Sequence, residues 1–155
     1  MWKSIWKAAL APVLRRPALF QVAALCFRTG PDGPEILMIT SRETGRWLLP
    51  KGWPKPGHDA AGTACEEAWE EAGVQADCSR ARQIGTYTYD KRLKGGVPVA
   101  TEVHVYAVPV DSLKDSYPEM SERRRVWMTP KSAAAAVDEP DLKDLLRRFP
   151  ELSHG

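Results

Sequence analysis

Glu66, Glu67, Glu70 and Glu71 put four carboxylates into six consecutive positions of the stretch GWPKPGHDAAGTACEEAWEEAGV, Gly52 to Val74. Like charges three and four residues apart on a helix repel one another and lower its stability, so crowding of this kind asks for a compensating cation. At 3.6 residues per turn Glu67, Glu70 and Glu71 emerge on one face, and Glu66 neighbours Glu70 by the same spacing. Hard divalent cations such as Mg2+ or Mn2+ take oxygen ligands and would return to the cluster what repulsion removes. Acidic helix faces are more often simply solvated. The flanks tip the balance toward a metal: PKG at Pro50 to Gly52 offers a glycine loop whose carbonyl can add a ligand, and EEAG at Glu70 to Gly73 closes a spaced pattern.

The surrounding chain must hold this patch rigidly. Asp59 can cap the helix, Ala60, Ala61, Ala64 and Ala68 favour helix or close packing, and Gly73 stands where a left-handed residue ends it. FQVAALCF, Phe20 to Phe27, reads as a buried strand; after the turn GPDG, EILMITS reads as its hairpin partner. RWLLP, Arg46 to Pro50, is a short extended piece ended by proline. IGTYTYD and VATEVHVYAVPV are β-rich, the second setting Val103, Val105 and Ala107 against Glu102, His104 and Tyr106. KRLKGG, Lys91 to Gly96, joins them as a basic hairpin loop. RVWM is a further short strand, TPKSAAAAV starts a helix with Thr129 as cap and Pro130 in first position, and EPDLKDLLRRF is a final amphipathic helix. Strands before, around and after one central helix describe an α+β domain with a mixed sheet between helices.

At 155 residues the chain fits one domain, with a basic N-terminal segment over 1–18, the folded domain over 19–150 and a tail over 151–155. Its 22 basic and 20 acidic side chains give a charge of +2, so no global field argues for nucleic acid. Cys26, Cys65 and Cys78 are odd in number without CxxC spacing, which argues against a disulfide framework or a zinc site, suits a reducing cytosol and reads as three small buried hydrophobes. No apolar run approaches the ~20 residues that cross a bilayer, and no secretory leader is evident. MWKSIWKAALAPVLRR carries Lys3, Lys7, Arg15 and Arg16 and could align Trp2, Ile5, Trp6, Ala9 and Leu10 on one face. That pattern suits a membrane-surface adaptor, but Pro12 and Pro17 interrupt it and favour docking on its own domain or on a second copy in a homodimer, or disorder.

The acidic stretch resembles the box of the Nudix hydrolases, G-x5-E-x7-R-E-U-x-E-E-x-G-U with U apolar: Gly52, Glu67, Ala68, Glu70, Glu71, Gly73 and Val74 fall at the matching spacings. RWLLPKGW and EEAGV are similar to the same family, and the likeness extends from about Gln21 to Trp127. The resemblance implies a Nudix-like α/β/α sandwich with a mixed central sheet and an acidic loop-helix-loop. It implies a cytoplasmic hydrolase that splits a pyrophosphate bond of a nucleoside diphosphate linked to another group, by water attack on phosphorus with Mg2+ or Mn2+ as cofactor. By position in the box, Glu67, Glu70 and Glu71 are the implied metal-binding and catalytic set, with the carbonyl of Gly52 as a further ligand and Glu67 a candidate for handling the water. A base from outside the box would be Glu119 or Glu122 in YPEMSER, with Glu122 assigned to the catalytic set. Two positions depart from the pattern: His58 stands where the family has its first Glu and Glu66 where it has Arg. An exchanged His58–Glu66 pair is the expectation; a nucleotide or phosphate binder with weak or no catalysis is the rival that these departures support.

Substrate contacts are expected from Arg42 and Arg46 in TSRETGRW, from Lys51, and from Lys91, Arg92 and Lys94, because guanidinium groups grip phosphate oxygens in pairs. SRETGRWLLPKG resembles the branch that handles diphosphoinositol polyphosphates and diadenosine polyphosphates, which implies a highly phosphorylated small molecule as partner. Tyr87, Tyr89, Trp53 and Trp69 are read as packing aromatics before base-stacking ones, and His104 as a strand-face residue without catalytic duty.

Overall fold

Alternation along the first strand builds two cores. In β1 (Phe20–Gly30) Val22, Ala24 and Cys26 turn to one face and Ala23 and Leu25 to the other, all fully buried. A strand covered on both sides reads as an unbroken apolar run, as this one does. β2 (Gly33–Thr40) pairs with it antiparallel through Gly30↔Gly33 and repeats the division, Ile36 and Met38 joining one core and Leu37 and Ile39 the other.

The computed structural model describes residues 19–92 and 96–153. The expectations attached to the N-terminal segment 1–18 and to Lys94 lie outside the described residues. Along β1 runs β7 (Pro98–Pro109), parallel, and β6 (Arg82–Arg92) pairs antiparallel with β7. That single parallel ladder makes the sheet mixed. β3 (Trp47–Leu48) and β9 (Arg125–Met128) pair with β2, while β4 (Lys51–Gly52) pairs with β1 at Val22↔Gly52 and Ala23↔Lys51. A separate small sheet joins β5 (Val74–Gln75) to β8 (Ser112–Leu113).

Helices cover both faces. α1 (Ala60–Ala72) lays Ala64, Ala68 and Ala72, all fully buried, on the Val22, Ala24 and Cys26 side. On the opposite face α2 (Pro130–Ala136) contributes Ala133 and Ala134, and α3 (Pro140–Leu152) contributes Leu142, Leu145, Leu146 and Phe149 at helical spacing. Burying each of those large side chains is worth about 1.5–3 kcal/mol. The result is the expected α+β sandwich with three layers. Thr129 caps α2 by accepting from the Ser132 N–H at 3.1 Å, with Pro130 following it. α3 continues to Leu152, two residues into the stretch taken from sequence as tail.

One expectation is corrected. Cys65 and Cys78 are joined in a disulfide across a Cα–Cα distance of 6.1 Å, and Cys26 alone is the buried free thiol. After β5 the chain turns back through a short 3-10 turn (Cys78–Arg80) against α1, so two cysteines 13 residues apart meet without any local signature. The support that three unpaired thiols lent to a reducing compartment falls with it.

Candidate active site

Local chemistry fixes both ends of α1. The Asp59 carboxylate accepts from the Gly62 N–H at 2.7 Å, and Gly73, at φ +70°, sends its N–H back to the carbonyls of Ala68 and Trp69. Arg125 donates through Nη1 to the Ala72 carbonyl at 2.7 Å and to the Lys114 carbonyl at 2.9 Å, placing a cation at the negative end of the helix. The alanine face lets the helix back approach the sheet closely, and the acidic face is thereby held on a rigid element. Glu67 and Glu71 are buried, at 7 % and 6 % exposure; Glu70 is half-buried.

β4 passes directly under this face. A Cβ at Gly52 would lie 2.4 Å from the Glu67 carboxyl carbon, so the strand can pass this close to the carboxylate as it stands only with glycine there. The Lys51 N–H donates to Glu71 Oε1 at 3.2 Å. From the loop that follows, Lys55 Nζ reaches Glu67 Oε1 at 3.1 Å and Glu70 Oε1 at 2.7 Å. Among the described residues, no group of three or more acidic, histidine or cysteine side chains converges in a way that could hold a metal ion; an ammonium stands between two of the carboxylates. The residues nonetheless fit a hard divalent cation, since the donors are carboxylate oxygens, those of Glu67 and Glu70 already on a cation, and Gly52 leaves room beside Glu67.

The electrostatics follow from burial. Burial pushes the Glu71 carboxyl up to about 8, against the pull of Arg123 and with the help of neighbouring Glu67. Lys51 is brought down to about 8, first by burial and then by the like charge of Lys91. For Lys55 burial works downward, but hydrogen bonds to Glu70 and Glu67 outweigh it and hold the ammonium above the ordinary lysine value.

Sequence reasoning missed Arg123. Its guanidinium, with the side chain 9 % exposed, donates through Nε to Glu119 at 2.9 Å and through Nη1 to the Thr40 carbonyl at 3.1 Å, and lies 3.5 Å from Glu71 Oε2. The one available signal was its spacing of four from Glu119. The Glu119 N–H donates to the Glu70 carbonyl at 3.0 Å, which docks this loop on α1. Arg42 bridges outward, 3.9 Å from Glu119 and 3.5 Å from Glu122. Glu122 is 45 % exposed in its side chain and pairs with Arg42, while Glu119 is the acid of that loop that lines the cavity beside the carboxylates.

Of the six cations named from sequence, the five among the described residues, Arg42, Arg46, Lys51, Lys91 and Arg92, line one cavity of about 430 Å³ together with Glu71 and Arg123. An adjoining cavity of about 460 Å³ takes in Gly52, Lys55, Glu67, Glu70 and Glu119, and shares Arg42, Lys51, Glu71, Lys91 and Arg123 with the first. Arg46 also pairs with Asp138 at 3.1 Å and Glu139 at 2.7 Å. Arg92 donates to the Gly96 carbonyl at 2.9 Å. Tyr89 belongs to the wall of the site, donating to Gln21 Oε1 at 2.5 Å and accepting from Lys51 Nζ at 3.3 Å, whereas Tyr87 is buried in the core. Trp53 lies under Lys91, 5.7 Å from ring centroid to Nζ. Trp69 faces a different groove with His58, Glu66 and the disulfide. Among the described residues no hydrogen bond or ion pair joins the side chains of His58 and Glu66, so the expected exchange pair does not form. His104 sits on its strand face, 3.7 Å from Glu102 and against Phe20.

Residues 19–149 match the family profile described as NUDIX domain. A Homo sapiens protein named diphosphoinositol polyphosphate phosphohydrolase 3-beta is 28% identical over 109 residues, which cover 69% of this chain and 62% of that protein. The chain therefore spans about three-fifths of the length of that curated relative. Among solved structures, a C. elegans Ap4A hydrolase superposes with a TM-score of 0.61 at 20% identity over 87% of this chain and 98% of that one. The E. coli dihydroneopterin triphosphate pyrophosphohydrolase gives 0.65 at 15% identity, covering 85% and 94%. These two likenesses speak for the fold, and the profile match across residues 19–149 shows that the chain belongs to the Nudix family.

Proposed function

We propose that this chain is a Nudix hydrolase that cleaves a pyrophosphate bond in a polyphosphorylated small molecule by attack of water on phosphorus, with Mg2+ or Mn2+ as cofactor. The substrate class is a nucleoside diphosphate linked to a second group, or a polyphosphate such as diadenosine polyphosphate or diphosphoinositol polyphosphate. One observation carries the reading: five cations dispersed between Arg42 and Arg92 line a single cavity that meets the acidic face at Glu71. The names of a curated relative and of a structural neighbour, a diphosphoinositol polyphosphate phosphohydrolase and an Ap4A hydrolase, support the same substrate class.

Glu67, Glu70 and Glu71 would hold the cation, with the Gly52 carbonyl as a further ligand. A bound divalent ion would neutralise the repulsion between phosphate and an anionic nucleophile and would lower the pKa of water. The chain's own groups do the rest. Lys51, Lys91 and Arg42 line both cavities and can bind phosphate oxygens on either side of the scissile bond. Arg123, fixed by Thr40, orients Glu71 and Glu119 together. Glu119 is the acid outside the box best situated to take a proton from water, and Glu122 acts by tethering Arg42.

The deciding measurement is phosphate release with and without Mg2+ from diadenosine polyphosphates, diphosphoinositol phosphates, nucleotide sugars and oxidised nucleoside triphosphates. Glu70→Gln and Glu71→Gln should each abolish release while circular dichroism stays native. Release from none of them, with binding preserved, would instead favour the phosphate-binding reading.

A further inference from the structure

We propose that Lys55 is a built-in counter-cation of the active site, an ammonium that holds the place of the divalent ion between Glu67 and Glu70 and must leave before the ion can bind. The inference rests on the reading that these carboxylates are metal ligands, and it assigns to Lys55 the setting of metal affinity.

Geometry makes the two cations mutually exclusive. Lys55 Nζ lies 3.1 Å from Glu67 Oε1 and 2.7 Å from Glu70 Oε1. Magnesium binds oxygen at about 2.0–2.1 Å, so an ion set between the same two oxygens on the side where Nζ stands would overlap the nitrogen, and one on the far side would still face a like charge nearby. The other cations nearby have different duties. Arg123 is tied to Glu119 and to the Thr40 carbonyl, and Lys51 turns its ammonium to Tyr89. Among the described residues Lys55 has no side-chain partner besides the two glutamates.

Only the side chain need move. The Lys55 N–H donates to Thr63 Oγ1 at 3.2 Å, and the Lys55 carbonyl accepts from the His58 N–H at 3.1 Å, which pins the loop backbone at both sides of the residue. The side chain is 27% exposed and opens on the cavity that the cations share. A rotamer change therefore clears the site and leaves the ammonium facing the space where phosphates would bind. The same placement explains why the acids do not converge on a ready-made cage: each of two carboxylates is drawn toward nitrogen.

The test compares wild type with Lys55→Met, Lys55→Gln and Lys55→Arg by titration calorimetry with Mn2+ alone, and by thermal melting with and without Mn2+. Removing a partly exposed cation from two carboxylates should tighten Mn2+ binding on the order of tenfold in the Met and Gln variants, while Arg stays near wild type. Both neutral variants should melt lower than wild type without metal and gain more from Mn2+. Mn2+ binding that is equal or weaker in both neutral variants, with wild type binding normally, overturns the proposal and leaves Lys55 a loop anchor. Absence of Mn2+ binding in every protein, wild type included, would overturn the metal reading itself and this inference with it.

Discussion

Gly52→Ala separates the cost of folding from the cost of function. A Cβ there would stand 2.4 Å from Cδ and Oε1 of Glu67 and 2.6 Å from Oε2. Ordinary contact begins near 3.4 Å, so the carboxylate must retreat by 3.4 − 2.4, about 1 Å. Gly52 does not have a positive φ, so alanine brings no backbone strain. What gives way is the far end of a flexible side chain, and the stability loss should sit at or below the low end of the ~1–3 kcal/mol typical of overpacking. Catalysis is less forgiving, because a misplacement of about 1 Å can cost ~10²-fold in rate. Thermal melting paired with kcat/KM for Mg2+-dependent phosphate release reads both quantities on one variant. The expected result is a fall in kcat/KM on the order of a hundredfold with a melting point close to wild type. Activity within a few-fold of wild type would refute the reasoning, since it would mean that the Gly52–Glu67 approach does not position the carboxylate. Joint collapse of stability and activity would show that β4 yielded instead.

Gly73→Ala should behave in the opposite way. At φ +70° its Cβ would meet Tyr117 Cδ1 at 2.5 Å and the Lys114 carbonyl at 2.8 Å, the latter backbone. The left-handed conformation and the clash together should lower unfolding free energy by roughly 2–4 kcal/mol in denaturant melts, and an unchanged midpoint contradicts this account of the helix end. Thiol titration at pH 8 should find no reactive cysteine in the native oxidised chain, because Cys65 and Cys78 are bonded and burial pushes the Cys26 thiol up to about 12. Denaturation should release one thiol and reduction two more, and reduction should cost about 3 kcal/mol of stability through the loop of 13 residues it reopens. A fast-reacting native thiol would be inconsistent with this arrangement.

What was legible in the sequence was what local chemistry decides. Asp59, Gly73, Thr129 and Pro130 fix helix ends within a few residues of themselves, and each does so as read. The one-faced arrangement of Glu67, Glu70 and Glu71 follows from helical period alone. The apolar run of β1, its hairpin with β2 and the alternation of β7 were legible for the same reason, and β1 and β2 divide their side chains between the two cores. The parallel pairing of β1 with β7 and the pairing of β4 with β1 depend on segments far apart in the chain, and the Cys65–Cys78 bond on how the chain turns back after β5, so nothing local encodes them.

The His58 and Glu66 departures show the same division at the site itself. Reading by motif position leads to an exchanged pair, because it asks which residues of the box answer one another. The physical requirement is different: the acidic face needs positive charge within a few ångströms, from any part of the chain. Lys55 supplies it to Glu67 and Glu70 from three residues before His58, and Arg123 supplies it to Glu71 from the loop before β9. Glu66 is turned toward the groove of Trp69 and the disulfide, where solvent can screen it, and has no need of His58. The positive charge comes from outside the helix, while Glu67, Glu70 and Glu71 keep their shared face. The absence of the box arginine therefore leaves none of Glu67, Glu70 and Glu71 without a cation nearby.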